Sequence, residues 1–591
     1  MKPQITNQIL FSFLLFTFVF LLEANATTRY VSKTGSSSPP YTSWITASDS
    51  IQKCINICQS GDTVYVANGV YKEKIVMIPG LSLIGSGMDS CIIDTQELVT
   101  PTDFYAITFK DSCNFCGFQV IVSNAAYGTG VLGINILSNN SKFTQNHIRN
   151  ASTGMLLSNI NFSISENQFS NTNLSISFDC FTYGYFPVID NNIILYPSSM
   201  GIFDFSGCQP TITNNIIYLN YQYSSGLDVI VKTPLTANNI VIAEDNVLRG
   251  YTFTLDGNVR NNLLLGHDIL DSYGAFHFRY GNYQVINNLV MNTSHGASVY
   301  QNNTFDFKYN NLWNVTDPYI GFIPDSTNLS VDPMIVSEDS GDVHLQMHSP
   351  MIDAGDPQIL DADGSRSDIG AYGGPLGKLY EYLDLPPHSP RGIISAIDSG
   401  LVSVSWKKNT EADFFRYRVY RDTTKGFVID STKLIAEIID TVFEESISNR
   451  QNILYYKITA VDSQGNESAG SEEITVVISD VNEPIIITED YHLYPNYPNP
   501  FNSTTRIGYR IKGTSYVKLI VYDVKGEIIR VLTNETKESG YYEEVFSAES
   551  GSASGRDAYR LSSGIYIYRL YVRNSDNTPI YSASGKMLYI K

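Results

Sequence analysis

The chain has 591 residues, too many for one ordinary domain, and calls for three or four folded units. Its 43% hydrophobic and 17% charged residues exclude a disordered chain, and its net charge of −20 excludes a nucleic-acid binder, which needs a basic footprint. The 40 tyrosines and 42 glycines favour β-structure and surfaces that stack on sugars; a polyanionic ligand would have to be bridged by a cation.

Residues 1–26 read as an export signal. Lys2 gives a positive start, ILFSFLLFTFVFLL (9–22) an apolar run, and Ala24-Asn25-Ala26 a small-x-small cleavage site. An uncleaved anchor is the rival reading, although the run is short for a span, and the mature chain is expected to carry no transmembrane segment. The seven cysteines are Cys54, Cys58, Cys91, Cys113, Cys116, Cys180 and Cys208. They fit an exported protein with one or more disulfides, and the odd count leaves at least one without an intrachain partner. Cys54-x3-Cys58 with Cys113-x2-Cys116 has a zinc-like spacing. Core thiols are the simpler reading.

In TASDSIQKCINICQSGD (46–62), Ile51, Cys54, Ile55 and Cys58 fall at i, i+3, i+4 and i+7. That spacing predicts an amphipathic helix with Ser48 or Asp49 as cap, plugging the open end of the next folded unit.

That unit is a repeat. VIDNNIILY (188–196), TITNNIIYLN (211–220), VRNNLLLG (259–266) and VINNLVMN (285–292) press asparagines into runs that otherwise suit buried strands. Aligned as aliphatic-x-x-Asn-x-aliphatic, the repeated residues are Asn146, Asn167, Asn192, Asn215, Asn246, Asn262, Asn288 and Asn311, spaced 16 to 31 residues apart. Such a period means a solenoid, in which asparagines at one corner of successive coils bond to each other and to turn backbone. Phe162-x-Ile164-x-x-Asn167-x-Phe169 also fits a leucine-rich repeat, but the fuller leucine frame is missing from most copies. The predicted fold class is therefore all-β: a right-handed parallel β-helix with an N-terminal capping helix, followed by two β-sandwich domains.

GDTVYVANGVYKE (61–73), LSLIGSGMDSCIID (81–94) and CNFCGFQV (113–120) resemble the pectate-lyase-like right-handed β-helix proteins. SPMIDAGDP (349–357) and DADGSRSDIGAYGG (361–374) resemble the closing turns of a secreted bacterial group of them. The resemblance implies a β-helix over 27–380 and says little about activity. LDLPPHSPRG leads through a Pro-rich linker, 381–392, into period-two alternation over 393–480. Trp406 and Tyr456 are placed there as a fibronectin type III core would place them. LYPNYPNPFNSTTRIGYRI (493–511), VKLIVYDVKGEIIRVL (517–532), LSSGIYIYRLYV (561–572) and the terminal KMLYIK resemble the C-terminal sorting domain of type IX secretion cargo, assigned to 481–591. That resemblance implies the type IX secretion machinery as a partner and a secreted or cell-surface location.

Candidate chemistry lies on the coils. Asp179, Asp204, Asp228 and Asp256 sit 10 to 13 residues beyond their assigned asparagines and are expected to form a substrate-binding carboxylate stripe. GHDILDSYGAFHFRYG (266–281) holds His267, Asp268, Asp271, His277 and Arg279; a uronate lyase needs a cation and a base, and Arg279 with Asp268, Asp271 and His277 offers such a catalytic set. Lys232 and Lys308 are alternative bases. Against catalysis, the pectate-lyase R-x-P-x-x-R is absent, and Glu244-Asp245 and Ser294-His295-Gly296 only faintly echo polygalacturonase motifs. Asp361, Asp363, Ser365 and Asp368 alternate around Gly364 as oxygen ligands of a structural Ca2+ would. The expected function is engagement of an extracellular polysaccharide by binding or adhesion. The rivals are a calcium-dependent pectate-type lyase, a glycoside hydrolase and a rigid surface stalk.

Overall fold

The computed structural model describes residues 26–590 apart from 124–126, 181–183, 205–207, 222–223, 230–232, 244–248, 254–255, 267–273, 301, 399–400, 448–452, 478–490, 495, 497, 503, 524–527, 539, 549–560 and 575–578. The chain divides into two compact units, residues 1–385 with 410–414, and residues 386–409 with 415–591.

The first unit is a parallel β-helix. One sheet runs through twelve short parallel strands, from Thr28–Val31 to Asn302–Lys308, and a second sheet joins the strands of the other faces. Inward positions of the first sheet, Val64, Leu83, Phe115, Phe143, Ile164, Ile189 and Ile212, stack coil on coil with no exposure. A single three-residue strand cannot shield such side chains; the stack can, at about 1.5–3 kcal/mol per large aliphatic or aromatic group.

The asparagines form the ladder at the corner between these faces. Each Nδ2 donates to the next coil's Oδ1 at 2.9–3.1 Å, through Asn146, Asn167, Asn192, Asn215, Asn239, Asn262, Asn288, Asn310 and Asn328. The same Nδ2 also donates to the carbonyl two residues earlier, as in Asn215 to Thr213 at 2.8 Å. Two predicted rungs are corrected. Asn246 lies outside the described residues, and the rung between Asn215 and Asn262 is Asn239; Asn310, not Asn311, takes the next-to-last place. Rungs are then separated by 18 to 26 residues, a tighter period than the sequence alignment suggested.

The residue before a rung explains the doublets. Gln145, Glu166, Asn191, Asn214, Asn238, Asn261, Asn287 and Tyr309 all have φ between +51° and +58°. Asparagine tolerates this left-handed conformation better than other residues with a Cβ. In the doublets from Asn191-Asn192 to Asn287-Asn288 the first asparagine therefore makes the turn and the second makes the ladder; at Asn310-Asn311 the turn falls to Tyr309 and the first asparagine is the rung.

After the last coil the chain returns along the outside of the helix. Met351, Ile369 and Ala371 pack on Ile240, Leu263 and Leu289. The turn asparagines hold the return segment by its backbone: Asn238 Nδ2 donates to Ala371 O at 2.8 Å, and Asn261 Nδ2 to Asp368 O at 2.9 Å. Asn287 Oδ1 accepts from Asp356 N at 2.7 Å, and Lys378 Nζ donates to Asn191 Oδ1 at 2.7 Å. Contact is close enough that a Cβ on Gly355 would stand 2.7 Å from Asn287 Nδ2.

The cap is Ser50, rather than Ser48 or Asp49. Its side chain accepts from Lys53 N ahead of a short helix, Ile51–Ile55, and the Glu73 carboxylate takes the N–H groups of Ile51 and Gln52 at 2.8 and 2.9 Å. Ile51, Cys54 and Ile55 are buried as the spacing predicts.

In the second unit, antiparallel sheets of three and four strands cover residues 394–477, and another such pair covers 492–589. Trp406 and Tyr456 are core residues of the first pair, with the Trp406 and Tyr417 rings 5.1 Å apart. The second pair has its own core, built on Ile507, Tyr509, Leu519, Val521, Leu570 and Val572. Among the described residues, no helix is long and apolar enough to cross a membrane.

Candidate functional site

Register decides where the predicted site residues stand. Phe178, Asp204, Val229, Phe253 and Phe278 occupy one inward row of successive coils. Asp204 is thus buried in the solenoid with no exposure. Asp228 belongs to the neighbouring outward row, with Phe203, Thr252, His277 and Ser298. Asp179 lies one residue beyond the row that holds Asp204. Asp256 sits at a corner further on, where it accepts from Asn282 N at 2.7 Å. The four carboxylates do not form one stripe.

His267, Asp268 and Asp271 of the catalytic set lie outside the described residues, as do Lys232, Glu244 and Asp245. His277 is 4% exposed, and its Nδ1 is 2.7 Å from Ser298 Oγ on the next coil. Lys308 pairs with Asp306 at 2.8 Å, and the contact holds its ammonium above the ordinary lysine range, the opposite of what a proton-abstracting lysine needs.

The closing loop is a hydrogen-bonded turn. Asp361 accepts from Asp368 N at 3.1 Å and from Gly374 N, and burial pushes its carboxyl up to about 6. Asp363 turns to Ser365, accepting from its N at 2.9 Å and its Oγ at 2.6 Å. Asp368 accepts from Asp353 N at 2.9 Å and Tyr382 Oη at 2.7 Å. Among the described residues, no three His, Cys, Asp or Glu side chains converge as metal ligands.

Arg279 is half-buried just beyond the end of its strand, next to the exposed Tyr280. Its coil and the next stack directly, with Arg279 N donating to Phe253 O and Tyr300 N to Phe278 O, both at 2.8 Å. At the adjoining corner, Tyr280 is 47% and Tyr300 54% exposed, their rings edge to face at 6.0 Å. Asp256 and Asn282 adjoin them, and Thr304 Oγ1 donates to Asn282 Oδ1 at 2.7 Å. Buried Tyr283 braces the corner from within: its Oη donates to Tyr280 O at 2.9 Å and its ring lies 4.9 Å from Phe278. Burial raises the Tyr283 phenol; the Asp256 charge adds to this and the Arg279 charge opposes it.

The corner therefore joins two ring surfaces, a cation, a carboxylate and an amide on neighbouring coils. Such a set can stack on sugar rings and bond to hydroxyl and carboxylate groups. Sequence reasoning selected Arg279 and Asp256 but missed Tyr280, Tyr300 and Asn282. The available signal was a tyrosine at the end of each strand, in FRYGN and SVYQN.

No family model and no curated protein matches the chain. Solved structures resemble it only as folds. A PL6 family alginate lyase, AlyGC, is 14% identical with a TM-score of 0.34, covering 57% of this chain and 59% of its own. A GH136 lacto-N-biosidase from Eubacterium ramulus is 12% identical with a TM-score of 0.31, covering 51% and 66%. The FN1-FN3 domains of chicken CNTN1 are 10% identical with a TM-score of 0.16, covering 36% and 69%. The chain spans less than two thirds of the length of each of the two carbohydrate-active proteins.

Proposed function

We propose that the protein is an exported, cell-surface β-helix protein that binds an extracellular polysaccharide at the corner formed by Arg279, Tyr280 and Tyr300. The observation that carries this reading is the exposed tyrosine pair, held on consecutive coils beside Arg279 and the Asp256–Asn282 contact. Exposed rings held by a stiff backbone lose little conformational entropy on stacking.

The reading of binding rather than cleavage is supported by Lys308, an alternative base, which is engaged with Asp306. The net charge of −20 gives calcium a place as a bridge between the protein and an acidic polymer. Export by the 1–26 signal and sorting through 481–591 belong to the same proposal. Its direct check is the N-terminus of the secreted protein, which starts at Thr27 if the signal is removed after Ala26.

The test is retention of the full chain in native gels containing pectic or alginate polymers, with calcium and with chelator. Retention lost in Tyr280→Ala and Tyr300→Ala supports the site. Retention equal to wild type in both removes it. A rise in unsaturated-uronate absorbance that Arg279→Ala abolishes would replace binding with lyase chemistry.

A further inference from the structure

The C-terminal β-sandwich has a cleft of its own, of about 920 Å³, on the outer face of its four-stranded sheet. The sheet's central strand, Ser515–Tyr522, lies between Ile528–Lys537 and Gly564–Arg573. Alternation sends Val517, Leu519 and Val521 into the core with no exposure and turns Tyr516, Lys518 and Tyr522 outward. The register then sets Lys518 opposite Asn534 on one side and Tyr571 on the other, and Tyr516 opposite Arg573. Lys518 and Arg573 become diagonal neighbours, roughly 7–8 Å apart.

The hydroxyls are arranged as well. Tyr516 Oη donates to Asn534 Oδ1 at 2.8 Å, and the Tyr522 and Tyr571 hydroxyls are 3.4 Å apart. Arg569 lies over the Tyr571 ring, 5.0 Å from its centroid, and places a third cation on this face of the sheet. No described residue lining the cleft is acidic, in a chain whose net charge is −20. A concentration of cations with interleaved tyrosines, against the charge of the whole molecule, is complementary to an anionic ligand with flat apolar surfaces.

We propose that this cleft is a second carbohydrate site, specific for an acidic oligosaccharide: the tyrosine rings take the sugar faces, and Lys518 and Arg573 take successive carboxylates. A neutral glycan offers the cations no charge to meet. A long nucleic acid is opposed by the charge of the rest of the chain. The proposal does not rest on the Tyr280–Tyr300 corner, which is in the other unit.

The experiment is hydrogen exchange on the full chain, with and without hexagalacturonate as probe and maltohexaose as the neutral control. The expected result is slowed exchange in Ser515–Tyr522 and Gly564–Arg573 with hexagalacturonate alone, and about a tenfold or greater weakening in a Lys518→Ala, Arg573→Ala variant. Lys518→Arg, made alone, keeps binding. Slowed exchange with maltohexaose as well, unchanged affinity in the double variant, or no protection of these strands overturns the proposal. Protection confined to residues 276–308 supports the first site alone and also overturns this one. Both substitutions are on the surface, so matching thermal unfolding of variant and wild type excludes misfolding as the cause.

Discussion

Asn261 and Asn262 are adjacent in the chain and bond in opposite directions. Asn262 Nδ2 donates inward along the ladder to Asn288 Oδ1 at 3.0 Å, while Asn261 Nδ2 donates outward to Asp368 O of the return segment at 2.9 Å. One doublet thus fastens coil to coil and coil to closing segment.

The two residues should fail differently. Asn262→Ala leaves Asn239 and Asn288 with lost partners in a buried corner and is expected to cost about 3 kcal/mol or more, lowering the stability of the whole β-helix. Asn261→Gly keeps the left-handed turn and removes only the outward bonds. It is expected to cost about 1–2 kcal/mol and to expose the 351–378 segment to protease before the coils unfold. Chemical denaturation with limited proteolysis separates the two outcomes; equal global losses would contradict the division of labour.

Much of this was legible from the doublets themselves. Asparagine in strand-like runs pointed to a ladder, and six of the eight predicted rungs are correct. Of the two misplaced rungs, one belongs to the TANNIVIA doublet, which holds the same signal as its neighbours, and the other is one residue off, at Asn310 instead of Asn311. The predicted acid stripe failed for a register reason. Asp204 lies 12 residues past its rung and Asp228 13 past, and one residue of slip on a period-two strand exchanges inside for outside. Turn lengths between the faces vary from coil to coil, so spacing from a rung cannot fix the direction of a distant side chain. Trp406 and Tyr456 were readable because two-period alternation assigns faces within one strand.

Asp361 predicts a pH dependence. Burial, its largest influence, raises its carboxyl from 3.8 to about 6, so the folded state binds this proton more tightly than the unfolded chain does. The associated stability is present below about pH 4 and is lost as pH rises through 6. Relative to wild type, Asp361→Asn should therefore gain stability across that window, because its amide oxygen still accepts while carrying no charge. Denaturation midpoints of both proteins at pH 4 and pH 7 check this; a parallel change in the two would contradict it.

Cys180 and Cys208 form a disulfide across 28 residues, while Cys54, Cys58, Cys91, Cys113 and Cys116 remain thiols. Alkylation of the unreduced, denatured chain should therefore count five thiols. Reduction should cost about 3–4 kcal/mol, in proportion to the loop closed. A count of three or one would show that further pairs form.

The most direct measurement of the central claim is affinity of the full chain for a panel of extracellular polysaccharides, comparing wild type with Tyr280→Ala, Tyr300→Ala and the double variant. Loss of about 1 kcal/mol or more per ring, with unchanged thermal unfolding, is the predicted result. Wild-type affinity in the double variant, or no retention on any polymer with or without calcium, would contradict it.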